Sequence, residues 1–99
     1  MSYRVRFTLE AKADIERLYR FLVERDPPAA ERALQIIERA WSFLEEFPFS
    51  CRQADHEHPL LRELIIPFGG AGYVALFEIE DHQTVTVVAI RHQREDDYP

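Results

Sequence analysis

Lysine, cysteine and glycine are scarce. Lys12 is the one lysine among 12 cationic residues, so the others are arginine, whose planar fork suits carboxylates and phosphates and which also accumulates in GC-rich genomes. Cys51 stands alone, which excludes an internal disulfide framework and leaves a reduced, cytoplasmic setting as the expectation. All 3 glycines fall in "FGGAG", Phe68 to Gly72. A loop that cradles phosphate follows a strand and opens a helix; this one separates two sheet-forming runs and reads as a hairpin turn. No apolar run approaches the ~20 residues of a membrane span. The opening "MSYRVRF" alternates charged and apolar residues, unlike a signal peptide. Positive charge is short as well. The net charge is −6, whereas a protein that grips phosphates usually presents a positive face.

What is present suits a small globular fold. An apolar fraction of 46% is ample for one core, and 99 residues are expected to form a single domain spanning 1–99. Tyr3, Val5 and Phe7 alternate with Arg4, Arg6 and Thr8, the period of a half-buried strand. Thr8 suits a helix N-cap, with Glu10 in the first turn. Ala11, Ile15, Leu18, Tyr19 and Leu22 then recur at helical spacing to about Glu24. In "RDPPAAER", Asp26 caps a second helix and Pro27 enters its first turn, where a missing N–H costs nothing. Two stripes follow, Ala30, Ala33, Leu34, Ile37, Trp41, Leu44 and Ile36, Ala40, Phe43, Phe47, before Pro48 ends the helix. So short a connection makes the helices an antiparallel hairpin.

"PFSCRQADHEHP" reads as a polar loop. "LLRELIIP", "GYVALFEIE" and "TVTVVAIRH" read as three strands joined by hairpins, the last two apolar on both faces and therefore central. The expected fold is α+β in the order β-α-α-β-β-β, with the helical hairpin on one face of a mostly antiparallel four-stranded sheet.

With these elements in order, the chain resembles the RelE/ParE superfamily of type II toxins, and within it the ParE (plasmid stabilisation) branch. The likeness rests on "FTLEAKADIERLYRFL" with its Asp14-Ile15 pair, "FLEEFP", "LRELIIPFGGAGYVALFEI" and "VAIRHQREDDY". It implies a toxin neutralised by a cognate antitoxin, ParD-like or similar, that lays a flexible, partly helical segment over it. Relatives in the RelE branch cleave mRNA in the ribosome; those in the ParE branch poison DNA gyrase.

The two branches make different demands. A metal-free ribonuclease needs a tuned acid or base and several fixed cations. His92, Arg94 and Tyr98 resemble part of such a set. Val74, however, follows Gly72-Tyr73, where RNA-cleaving relatives resemble one another in having an arginine. Arg91 and His92 are adjacent in a strand and point to opposite faces, and Glu95, Asp96 and Asp97 offset the local positive charge. The preferred expectation is therefore a binder without cofactor, acting on gyrase rather than on nucleic acid or membrane. Its anchors are Arg62, Arg91, His92, Arg94 and Tyr98, with Tyr19, Phe43 and Phe47 facing the antitoxin. Cys51, Asp55, His56, Glu57 and His58 crowd one loop, but without an evident fourth ligand they read as solvated, and metal is not expected.

Overall fold

The structure, a computed structural model, describes residues 2–93. Strand β1 (Arg4–Phe7) leads into helix α1 (Leu9–Arg25) and helix α2 (Pro27–Glu46). A short 3-10 turn (Pro48–Ser50) precedes β2 (Arg52–Asp55), β3 (His58–Phe68), β4 (Ala71–Ile79) and β5 (Thr84–His92). The strands form one sheet in the order β1-β5-β4-β3-β2. All pairings are antiparallel except that of β1 with β5.

The α+β class and the helical hairpin match expectation; the strand count does not. The sheet has 5 strands, because the stretch read as a polar loop contains β2 at the far edge. All four β2 residues are exposed, so no apolar alternation marks the strand. Side chains hold it instead. Arg52 bonds Glu63 across the hairpin at 2.7 Å, and Asp55 meets His58 at 2.9 Å beside the turn.

Local chemistry explains the helix ends. The Thr8 hydroxyl accepts the Ala11 N–H and Asp26 accepts the Ala29 N–H, each satisfying a donor that the first turn leaves orphaned. Helix α2 turns Ala30, Ala33, Ile37, Ala40 and Leu44 inward, and its alanines let the helices lie close to each other and to the sheet. Tyr73, Ala75, Phe77 and Ile79 of β4 and Val85, Val87 and Ile90 of β5 complete the core. Full burial of a side chain such as Leu44 or Ile90 stabilises the fold by about 2 kcal/mol. Trp41 sits at the core margin with its ring edge on Phe7, centroids 5.0 Å apart. Both helices pack on one sheet face; the other is uncovered by any described element. Among the described residues no helix is long and apolar enough to cross a membrane.

The "FGGAG" segment is a hairpin turn, with Gly69 at φ 61° between β3 and β4. Gly72 is more constrained. It pairs with Pro67 at φ 151°, and a Cβ there would lie 2.3 Å from the Ile66 carbonyl oxygen. Gly72→Ala should therefore destabilise the fold by about 2–4 kcal/mol in urea unfolding, whereas Gly70→Ala, with open space around it, should cost less than about 1 kcal/mol.

Candidate functional site

The uncovered sheet face is set by strand register. Along β4, Tyr73, Ala75 and Phe77 face the helices, so Val74, Leu76 and Glu78 face outward. Their partners in β3 are Ile65, Glu63 and Leu61. On β5 a bulge intervenes: Phe77 pairs with Val87 and Leu76 with Ala89, leaving Val88 as the extra residue. Before the bulge the inward residues are Val85 and Val87; beyond it they are Ile90, fully buried, and His92, half-buried. Arg91, opposite Val74, therefore projects outward with Ala89.

These choices build a shallow concavity of about 160 Å³ lined by Glu63, Val74, Leu76, Ala89 and Arg91. Its floor is apolar, with one cation at the β5 side and one anion at the β3 side. Glu63 also holds Arg52 at 2.7 Å, so the local acidity is partly neutralised. Ile65, 38% exposed, extends the apolar surface beside Val74. Arg4 and Arg6 lie on the exposed side of β1, beside Thr84 and Thr86.

The predicted site residues separate into three places. Arg91 is on the open face. His92 is on the opposite side, its ring edge-on to buried Tyr73 with centroids 5.6 Å apart, so the two neighbours do not share a site. Tyr73 is further stacked on Phe68, and burial pushes its phenol up from the ordinary value. Arg62 also points to the helix side. Its guanidinium donates to the carbonyl oxygens of Pro59, Cys51 and Phe49 at 2.7, 2.8 and 3.2 Å and lies over the Phe49 ring. It clips the 3-10 turn and Cys51, the residue before β2, to β3, and its partners are backbone carbonyls. Arg94 and Tyr98 lie outside the described residues.

Tyr19, Phe43 and Phe47 occupy the helical hairpin. Tyr19 donates its hydroxyl to Glu31 at 3.3 Å, tying α1 to α2, and the Glu31 charge is the leading cause of its raised pKa. Phe43 and Phe47 are 40% and 58% exposed with ring centroids 5.6 Å apart. Phe49, 53% exposed just beyond α2, is a further aromatic that sequence reading missed. It lay in a stretch taken for loop, where no periodicity pointed to it. Glu63, Leu76 and Ala89 were missed for another reason: which face of an apolar strand is covered depends on helix placement.

The crowded loop resolves into the β2–β3 turn. The Glu57 N–H and His58 hold the Asp55 carboxylate and lower its pKa. Cys51 is buried, and desolvation pushes its thiol up, the wrong direction for a nucleophile. Among the described residues no group of three His, Cys, Asp or Glu converges to hold a metal ion.

The molecule is thus a small α+β domain with an open, mixed apolar and charged sheet face on one side and a helical hairpin bearing exposed aromatics on the other. Residues 5–97 match the family model for the ParE toxin of the type II toxin-antitoxin system parDE, and the chain belongs to that family, within the RelE/ParE superfamily. It is a toxin of the type II toxin-antitoxin class. It is 39% identical to Toxin RelE1 of Caulobacter vibrioides over 79 residues, covering 80% of this chain and 82% of that one. It is 33% identical to Toxin RelE3 of the same organism over 86 residues, covering 86% and 88%. The fold matches a chain of the chromosomal ParDE system from P. aeruginosa with TM-score 0.71 at 20% identity, over 92% of this chain and 96% of that one. It also matches a chain of the RelBE2 toxin-antitoxin complex from Mycobacterium tuberculosis with TM-score 0.62 at 23% identity, over 94% and 100%.

Arg62→Ala should lower unfolding stability by about 1.5–3 kcal/mol, because three carbonyls lose a charged donor. Arg62→Lys should recover less than half, since an ammonium cannot span the three with a planar fork. Chemical denaturation of both variants checks this; equal stability of Arg62→Ala and the parent would remove the clip from the account.

Proposed function

We propose that this toxin acts by binding rather than by catalysis, inhibiting DNA gyrase or a related type II topoisomerase through the open face of its sheet. The observation that supports this most is the make-up of the concavity: three apolar residues, one arginine and one glutamate. Phosphoryl transfer needs several fixed cations around the reacting phosphate. Here Val74 and Leu76 occupy the middle of the face, and His92 is turned away from Arg91 toward Tyr73. A protein surface with an apolar knob and a complementary charge pair fits such a hollow better than an RNA backbone does. Arg94 and Tyr98, later in the chain, are assigned to target binding as well. No cofactor enters this reading.

Neutralisation is assigned to a cognate antitoxin, as the similarity of the fold to chains of toxin-antitoxin systems encourages. Its segment would run along the helical hairpin from Tyr19, near the start of α2, to the exposed aromatics Phe43, Phe47 and Phe49 at its far end, where apolar rings already face solvent. One observation favours a second reading, a ribosome-dependent mRNA endoribonuclease using His92, Arg94 and Tyr98: both Caulobacter relatives carry the RelE name.

Antitoxin-free protein tested in gyrase supercoiling with trapping of cleaved DNA, and in parallel in translation-coupled mRNA cleavage, separates the two. Gyrase inhibition without mRNA cleavage is expected, and Leu76→Asp should weaken that inhibition by about tenfold or more. Cleaved mRNA with untouched gyrase overturns the proposal. For the antitoxin, Phe47→Ala should weaken binding about tenfold in titration calorimetry while shifting the melting temperature little, because the ring is 58% exposed.

A further inference from the structure

Asp14 lies in the second turn of α1, past the positions where a carboxylate caps the helix. Its Oδ2 accepts the Ile90 N–H at 3.0 Å, from a residue 76 positions away. Its Oδ1 lies 3.6 Å from Arg17 Nη2, and the side chain is only 24% exposed. Thr8 makes two related bonds. Its N–H donates to the Val87 carbonyl at 3.0 Å and its hydroxyl to the Val88 carbonyl at 3.3 Å. The three bonds bracket the bulge at Val88. They begin where β1 ends, since Phe7 is the last β1 residue paired, opposite Val87. Past that point side chains from the start of α1 take the place of a neighbouring strand.

The bulge has one competing arrangement. If Val88 paired with Leu76, Ile90 would fall opposite Val74 and Arg91 opposite Tyr73. Each side chain would change face. The Ile90 N–H would then turn toward β4, out of reach of Asp14. The Asp14 bond therefore exists only in the bulged register.

We propose that Asp14 is a positioning residue: by holding the Ile90 N–H it keeps β5 in the bulged register that sends Arg91 to the open face and His92 to Tyr73. Thr8 anchors the other side of the same bulge. The link from Arg91 to gyrase rests on the proposed function; the link from Asp14 to the register does not.

The test uses the full chain with Asp14→Ala, Asp14→Asn, Arg91→Ala and the Asp14→Ala/Arg91→Ala double variant. In NMR spectra, Asp14→Ala should speed exchange of the Ile90 amide about tenfold or more relative to the Phe77 amide, since a hydrogen bond to a charged acceptor is lost. It should also move the His92 ring signals that the Tyr73 ring shifts. Asp14→Asn keeps an acceptor oxygen and should retain most of the protection. Unchanged Ile90 exchange and His92 signals overturn the proposal, as does an equal rise in exchange at Ile90 and Phe77, which would mean general loosening. In gyrase inhibition, Asp14→Ala should weaken potency in the parent but add nothing once Arg91 is alanine. Full additivity with Arg91→Ala also overturns it. If Arg91→Ala leaves gyrase inhibition intact, the target assignment falls, and the two NMR signals still decide for or against Asp14.

Discussion

Val87 and Ile90 must both face the helices, and they are three residues apart. A regular strand has a period of two, so one of them would have to face solvent. Both are completely buried, which the extra residue Val88 makes possible. This constraint governs the rest of the molecule. It places the last inward residues under α1, gives α1 a backbone donor to bind, and determines the face on which every later side chain of β5 emerges. The energetic reason is plain. Without the bulge, Ile90 would exchange its buried place for solvent and Arg91 would take the half-buried place opposite Tyr73 that His92 now holds. Exposing the isoleucine alone costs about 2 kcal/mol.

The legibility of the fold follows from where periodicity is clean. Helix α2 could be read because Ala33, Ile37, Ala40 and Leu44 repeat at helical spacing and Asp26-Pro27 marks its start. Strand β1 could be read because Val5 and Phe7 alternate with arginines. Strand β2 could not: every residue in it is exposed, and what holds it on β3 is the Arg52–Glu63 pair, with the Arg62 clip fixing the Cys51 backbone that leads into it, both formed between segments. The second apolar stripe of α2, Ile36, Ala40, Phe43 and Phe47, also misleads if taken as burial. Ala40 is buried while Phe43 and Phe47 stay exposed, so part of the arc is surface, and that part is where the aromatics cluster.

The site was legible in composition and not in placement. Alternation alone says that Arg91 and His92 oppose each other. It cannot say which one faces outward, because "TVTVVAIRH" is apolar at consecutive positions and hides the bulge. The "LREL" stretch shows the same limit. Arg62 looked like the binding residue of the pair and Glu63 its neighbour. In the fold Arg62 faces the helix side and serves three carbonyls, while Glu63 lines the open concavity.

That reversal bears on what such a face can recognise. A face whose central positions are Val74, Leu76 and Ala89 gains little from a phosphate chain, whose affinity comes from released counterions and scales with the number of cations engaged. Arg91 provides one such contact on this hollow, and Glu63 at the far wall opposes it. The same arrangement is favourable for a protein partner. Apolar area is removed from water at the centre, a donor and an acceptor at opposite walls fix orientation, and Arg52 keeps Glu63 in place before contact. The net charge of −6 acts in the same direction, opposing approach to nucleic acid within a Debye length of about 8 Å. Because the bulge decides that Arg91 stands on this wall and His92 does not, a local feature of the β5 backbone sets which side chains the open face presents.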